Sequence, residues 1–186
     1  TFTSLFPLND LINLRNLTLN FSTADITLPT LSILGNLSVT SGGATGITAT
    51  QAISVGGNAS FTTTAANADI VATDLTVNGT LSANTTGAGG NATLVNASGV
   101  DMAASNVGGN LEVTASTGNI TDSGTVTVEG TASYTTLDTD ATIALNEQDI
   151  GGAVTLSTTG SNAHVQIVNA RALTLNASTI GGNLNV

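Results

Sequence analysis

The sequence predicts an all-β protein: a right-handed, three-faced parallel β-helix with about seven rungs of roughly 20–30 residues. Three observations predict this fold. A short phrase recurs at nearly regular spacing, apolar and polar residues alternate around each copy, and the composition favours strands over helices. A repeat of this length buries its apolar face only by stacking on its neighbours, which is the property of a solenoid.

The repeated phrase is Gly-Asn-Leu-x-Val with close variants, and it recurs at two kinds of spacing, a shorter one and a longer one. An earlier copy begins with Arg15 in place of the glycine. We predict that each glycine forms a corner between strands, where a side chain would crowd the interior and a positive φ is tolerated. These predicted corner glycines are Gly35, Gly57, Gly79, Gly109, Gly130, Gly152 and Gly182.

Apolar residues occupy the second and fourth positions after each glycine, and the residue between them is nearly always polar. Alternation with a period of two is typical of a strand with one buried face. The intervening Thr, Val, Ser and Asn residues are poor helix formers or good strand formers, so helix is disfavoured. If the phrases stack directly on one another, Leu37, Leu111 and Leu184 belong to one buried column.

An asparagine often follows the corner glycine, and we predict that these asparagines stack into a ladder. Stacked amides can form hydrogen bonds from rung to rung, as they do in cross-β assemblies. This structural role is favoured over ligand binding. The predicted ladder comprises Asn16, Asn36, Asn58, Asn110 and Asn183.

A longer unit is also visible, because residues 79–113 align without a gap on residues 152–186 at a shift of 73. The two longer spacings, from Gly79 to Gly109 and from Gly152 to Gly182, predict two long rungs. Their additional residues are expected to form longer strands or corners on one face, at residues 86–90 and 159–162.

The chain divides into an irregular lead-in or cap at residues 1–14 and a rod at residues 15–186. Because the sequence stops at Val186 in the middle of a phrase, the rod is expected to be a segment of a longer solenoid. At about 4.8 Å per rung, the segment spans roughly 35 Å.

The composition restricts the partners. The chain carries 12 acidic residues against Arg15 and Arg171 and has no lysine, for a net charge of −10. Such a balance argues against binding to nucleic acid and to anionic membrane surfaces. No segment is long and apolar enough to predict membrane insertion as a helix. The absence of cysteine is compatible with export.

No catalytic, cofactor or metal site is predicted, and the expectation is a protein that is not an enzyme. The acidic residues are scattered, which favours outward, solubilising positions for Asp25, Asp69, Asp101, Asp122 and Asp149. His164 is predicted to be solvated and Arg171 to lie in a turn. Asp138 and Asp140 form a close acidic pair. Such a pair is a weak signal for calcium binding, because closely spaced aspartates are also common in ordinary turns.

The phrases at residues 107–113 (VGGNLEV), 180–186 (IGGNLNV) and 172–184 (ALTLNASTIGGNL) resemble the repeats of filamentous-haemagglutinin-type exoproteins. These are long bacterial surface and secreted adhesins, many of them exported by two-partner secretion. The resemblance covers residues 15–186 and implies a right-handed β-helix rod that holds adhesive or toxic tips away from the cell. It also implies an extracellular or cell-surface location.

The same resemblance implies as partners neighbouring rungs or copies of the rod, and host or cell-surface glycans or proteins. An Asn-Pro-Asn-Gly-Ile-like motif of the family's secretion domain is not present, so the resemblance implies an internal repeat section.

Two alternatives remain open. One is a carbohydrate-binding or carbohydrate-processing β-helix, because this fold carries such functions. The other is a Thr-rich ice-binding face, suggested by Thr48, Thr50, Thr125 and Thr127. An unbroken ladder of threonines over at least four rungs would support the ice-binding alternative over the others.

Overall fold

The computed structural model of the protein describes residues 14–186, which form an all-β parallel solenoid of about eight turns with no helix. The predicted lead-in lies outside these residues except for Leu14, which forms a parallel bridge with Ile33. The strands are Leu17–Phe21 (β1), Ile26–Thr27 (β2), Leu31–Ile33 (β3), Leu37–Ser41 (β4), Gly46–Ala49 (β5), Ile53–Val55 (β6), Ala59–Ala66 (β7), Asp69–Val77 (β8), Thr80–Thr86 (β9), Ala92–Asn96 (β10), Val100–Met102 (β11), Ser105–Val107 (β12), Leu111–Ala115 (β13), Ile120–Asp122 (β14), Val126–Val128 (β15), Ala132–Thr139 (β16), Ile143–Ile150 (β17), Ala153–Thr159 (β18), Val165–Asn169 (β19), Thr174–Leu175 (β20) and Leu184–Asn185 (β21).

Each turn contributes three short strands. β8 and β17 are each two such strands joined end to end, since β8 pairs with both β5 and β6, and β17 pairs with both β14 and β15. The pairs are parallel and join turns, not neighbours in sequence. One column shows eight levels, namely Ile26, Ile47, Ile70, Ala92, Leu111, Ala132, Val154 and Leu175.

The turns are more uniform than the phrase spacing predicts. Successive members of this column are separated by nearly equal lengths of chain, so the two predicted long turns do not occur along it. The predicted count of about seven rungs is therefore slightly low. The right-handed sense of the coil stays a prediction from the general preference of parallel crossovers.

The prediction that all the phrases share one column is wrong. Leu37 pairs with Leu17 and Ala59 on one face, and Ala59 pairs in turn with Leu81. The phrase at Leu111 lies on another face, between Ala92 and Ala132. Leu184 pairs with Val165 in a further column.

The longer phrase spacing explains this change of face. Between Gly79 and Gly109 the chain makes four strands, β9 to β12, whereas the shorter spacing from Gly35 to Gly57 holds three, β4 to β6. The fourth strand carries the chain past a complete turn. The next phrase therefore starts on the neighbouring face, and β11 and β12 both pair with β9 at the junction.

The additional residues are accordingly not an elongated corner. Residues 86–90 form a turn in which Gly87 has a φ of 81°, and residues 159–162 form one in which Gly160 has a φ of 98°. The turns below them hold Asn67 and Asp140, with φ values of 62° and 64°. Turns of this kind stack on one another without an insertion.

The alternating residues line a dry centre, as predicted. Leu37, Val39, Leu81 and Leu111 are buried, and the largest fully buried side chains include Phe61 and Tyr134. Leu184 and Val186, in the last turn, are 42% and 72% exposed. The described residues contain no helix long and apolar enough to cross a membrane.

Candidate functional surface

Side-chain ladders run along the corners of the solenoid. In the first, the amide N–H of Asn36 donates to Asn16 Oδ1 at 2.8 Å, and the N–H of Asn58 donates to Asn36 Oδ1 at 2.9 Å. Thr80 N–H continues the series to Asn58 Oδ1 at 2.9 Å. The bond therefore joins each side-chain oxygen to the backbone of the next turn, where the prediction had amide joined to amide.

Asn110 belongs to a second ladder. The N–H of Asn91 donates to Asp69 Oδ1 at 2.9 Å, that of Asn110 donates to Asn91 Oδ1 at 2.9 Å, and that of Thr131 donates to Asn110 Oδ1 at 2.8 Å. The predicted single ladder is thus divided, because the phrase changes face between Gly79 and Gly109.

Asn183 belongs to a third series, which includes Asn119 and His164. Thr142 N–H donates to Asn119 Oδ1 at 2.8 Å, and Asn183 N–H donates to His164 Nδ1 at 2.9 Å. Sequence reasoning missed Asn91 and Asn119. Both follow a glycine and precede an apolar residue, a shorter signal that would have found them.

The corner glycines are required by these ladders. A Cβ atom on Gly57, Gly79, Gly109 or Gly130 would lie within 3.0 Å of the Oδ1 atom of the ladder asparagine one turn below. Gly35 has the same relation to Asn16 Oδ1 and Gly182 to His164 Nδ1, while Gly152 would meet the backbone oxygen of Gly130. None of the seven has a positive φ, which occurs instead at Gly46, Gly87, Gly118 and Gly160. Glycine is therefore required at these corners by crowding against the turn below, and not by a positive φ.

Buried polar side chains close the turns from inside, and they recur at the same shift of 73 in the numbering. The Thr85 hydroxyl donates to Gly90 O, and the Thr158 hydroxyl donates to Ala163 O at 3.0 Å. Asn96 bonds both the N–H and the C=O of Val77, at 2.8 and 3.1 Å. Its counterpart Asn169, which is only half-buried, makes the same two bonds to Ile150.

The carboxylates are more than solubilising groups. Asp25 Oδ1 accepts from the N–H groups of Thr45 and Gly46, at 2.8 and 3.1 Å, and these bonds, that of Thr45 first, lower the pKa of Asp25. Asp69 begins the second ladder. Of the residues expected at outward, solubilising positions, Asp122 and Asp149 also have hydrogen-bond or ion-pair partners.

Arg171 lies in a bend, as predicted, and joins three turns. Its guanidinium makes two bonds of 2.9 Å to the Glu129 carboxylate and one of 2.7 Å from Nε to Asp149 Oδ1. The pair lowers the pKa of Glu129 and raises that of Arg171, chiefly through these hydrogen bonds. Because the groups are substantially exposed, the contribution to stability is small and screened by salt.

Tyr134 anchors a polar network inside the core. Its hydroxyl donates to Gln148 Oε1 at 2.6 Å, and Gln148 Nε2 donates to Asp122 Oδ2 at 2.7 Å. Burial, with a smaller effect of Asp122, raises the pKa of Tyr134 far above its usual value. At the shift of 73 the corresponding residues of the earlier copy are Ala49, Phe61 and Leu75, all buried.

His164, Asp138 and Asp140 also have structural partners. His164 is exposed, as predicted. Asp140 accepts from the N–H of Asn162 at 3.0 Å, a bond that lowers its pKa, and Asp138 accepts from Gly118 N–H at 3.1 Å. Within residues 14–186, no group of three or more His, Cys, Asp or Glu side chains could hold a metal ion.

A groove of about 410 Å³ runs over the outer surface of β8, β10, β13 and β16. Its polar lining includes Asp69, Asn91, Thr93, Asn110 and Glu112. The outward column beneath it reads Thr27, Thr48, Val71, Thr93, Glu112, Ser133 and Thr155. Threonines are consecutive at only two levels there, and no paired column of the described strands carries four in succession.

Comparison with known proteins gives one family. A family model described as repeats of unknown function (DUF5649) matches residues 14–74 and 89–157. The two matches cover more than half of the chain, and the offset between their starts is close to the shift of 73 at which the sequence aligns on itself. No curated protein and no solved structure matches the chain.

Proposed function

We propose that this chain, which belongs to the DUF5649 family of repeats of unknown function, is a section of a structural rod in an extracellular bacterial adhesin or fibre. In this role it spaces or presents adhesive regions away from the cell surface. The proposed role requires no catalysis, cofactor or metal.

The continuity of the stacking is the observation that carries the proposal. Eight levels of parallel pairing share one column, and Oδ1-to-amide ladders along the corners add hydrogen bonds between turns. A solenoid of this kind gains stability from each nearest-neighbour interface, so its length can grow by adding units. The phrases that resemble filamentous-haemagglutinin-type repeats supply the proposed location and the two-partner-secretion setting.

Immunolabelling of the source cells tests the location. Antibodies raised against the isolated chain should label intact cells, and brief protease treatment of intact cells should remove or shorten the labelled species. Labelling that appears only after lysis would contradict an extracellular rod. A cytoplasmic protein probed in parallel controls for leakage.

A carbohydrate-binding surface is the second candidate, and the groove at Asp69, Asn91 and Glu112 is what favours it. Carboxylates, amides and hydroxyls in one shallow groove can hydrogen-bond sugar hydroxyls. The ice-binding alternative needs a threonine ladder over four rungs, and the described strands carry none.

A glycan array separates the rod from the carbohydrate-binding candidate. For a passive rod, the isolated chain shows no selective binding to any glycan. For a binding groove, the chain retains a defined set of glycans, and Glu112→Ala abolishes retention while Glu129→Ala, outside the groove, does not.

A further inference from the structure

His164 occupies a position that asparagine fills in the other ladders. Asn16, Asn36 and Asn58 each offer an amide oxygen to the backbone N–H of the turn above. At the corresponding place between β19 and β21, the acceptor is His164 Nδ1, which receives the N–H of Asn183 at 2.9 Å. The same geometry is therefore built with a titratable acceptor.

An imidazole accepts a hydrogen bond only at an unprotonated nitrogen. In the imidazolium form both ring nitrogens are donors, so Nδ1 can no longer receive the Asn183 N–H. An amide oxygen stays an acceptor throughout the physiological pH range. Histidine is the side chain whose ordinary charge change falls between about pH 5 and 8.

The next turn packs tightly against the ring, so a change of His164 Nδ1 from acceptor to donor affects that turn directly. A Cβ atom on Gly182 would lie within 3.0 Å of His164 Nδ1, so the chain of the next turn passes directly over the ring. Protonation would place two N–H groups against each other in this contact. Backbone bonds also hold this turn, among them Val165 N–H to Asn183 O at 2.8 Å and Gly182 N–H to Ala163 O at 3.1 Å, together with the pairing of β19 with β21.

The charged surroundings of the ring are simple in the described part of the chain. Asp140, on the turn between β16 and β17, has its pKa lowered chiefly by its bonds to Asn162 and to a smaller extent by His164. Asp140 is itself occupied by the N–H and side-chain amide of Asn162, at 3.0 and 3.2 Å. The stacked segments at residues 142–145 and 184–185 contain no titratable side chain.

We propose that His164 is a pH-sensitive latch between two turns of the solenoid. The neutral ring holds the turn that begins at Gly182, and protonation releases its Asn183 amide. The ladder of Asn16, Asn36 and Asn58 stays closed over the same range because its acceptors are amides. The inference does not depend on the proposed rod function, since it concerns only how these turns attach.

Amide exchange measured by NMR tests the latch in the intact chain. After correction for intrinsic rates, the protection of the Asn183 amide should fall by about three- to tenfold from pH 8 to pH 5, as expected for loss of one hydrogen bond. The midpoint should coincide with the titration of the His164 ring protons. The Asn58 amide, held by Asn36, is the internal control and should not change.

Two variants complete the test. His164→Asn installs the acceptor used in the other ladders and should keep Asn183 protected at both pH values. Asp140→Asn should leave the pH dependence in place. Protection that is independent of pH in the unmodified chain while His164 titrates would overturn the proposal. An unchanged pH dependence of Asn183 protection in His164→Asn would also overturn it. If that variant does not fold, the pH dependence of Asn183 protection in the unmodified chain is the deciding measurement.

Discussion

Tyr134 gives a sharp test of the core, because the earlier copy of the long unit contains an apolar counterpart of its hydrogen-bonded network. Tyr134, Gln148 and Asp122 replace Phe61, Leu75 and Ala49. Removing the hydroxyl in Tyr134→Phe leaves Gln148 Oε1 without its 2.6 Å donor, although Gln148 is only 2% exposed. A buried polar group left without a partner costs about 1–3 kcal/mol.

The network also predicts strong non-additivity. Gln148→Leu alone strands the Tyr134 hydroxyl and should cost a similar amount. The double variant removes both partners and restores the Phe–Leu pair of the first copy, so it should be much less destabilised than the sum of the single variants. Adding Asp122→Ala then reproduces all three apolar residues of the earlier copy. Asp122 also accepts hydrogen bonds from the backbone N–H groups of Asn146 and Glu147, but both residues are exposed, so water can take the place of the carboxylate.

Equilibrium urea unfolding followed by circular dichroism measures these differences. Each single variant should also lower the melting temperature by roughly 2–12 °C, since about 1 kcal/mol corresponds to about 2–4 °C at this size. The matched control is Phe61→Tyr, which places a hydroxyl in the buried core where the counterpart of the acceptor Gln148 is Leu75, and which should therefore destabilise. Strict additivity of Tyr134→Phe and Gln148→Leu, or a neutral Tyr134→Phe, would refute the reasoning.

Three further predictions concern the surface and the corners. Gly57→Ala, which drives a Cβ into the ladder below, should lower the unfolding free energy by about 0.5–3 kcal/mol, while Ser60→Ala on the outer face stays within about 0.5 kcal/mol in urea titrations. The free energy of unfolding should fall in acid, because folding lowers the pKa values of Asp25 and Glu129. The stability that these two carboxylates contribute is fully present above the pKa of an unfolded carboxyl group, about 4, and is lost as the pH falls through their lower pKa values in the folded protein. Arg171→Gln should reduce the melting temperature slightly in low salt and not at all in about 1 M NaCl.

Each of these has a contrary outcome. Equal effects of Gly57→Ala and Ser60→Ala would remove the steric account of the corners. Unchanged melting between pH 5 and 2 would show that the carboxylate bonds do not stabilise the fold. A large effect of Arg171→Gln that persists in high salt would mean that the arginine packs as well as pairs.

Much of the fold is predictable from local pattern. The alternation around each phrase identifies the inward side chains, so Leu37, Val113 and Leu156 are buried as expected. The strand type and the stacking follow from the same pattern and the repeat length. The placement of His164 outside and Arg171 in a bend also follows from local sequence.

The change of face was not predictable in the same way. Alternation with a period of two looks the same on any face, so the phrase at Leu111 gives no sign that it stacks on Ala92 instead of Leu81. Only the three-dimensional count of strands per turn decides this. The ladders at Asp69 and His164 were missed because different side chains supply equivalent acceptors.

Engineered disulfides test the face change most directly, because the natural chain has no cysteine. Thr93 and Glu112 are register partners on β10 and β13, and neighbouring parallel strands about 4.8 Å apart meet the Cα separation that a disulfide needs. Ser82 matches Glu112 by phrase position, yet it pairs with Ser60 on another face. The Thr93→Cys/Glu112→Cys variant should oxidise to an intramolecular disulfide while Ser82→Cys/Glu112→Cys stays reduced, and the reverse result would contradict the stacking described above.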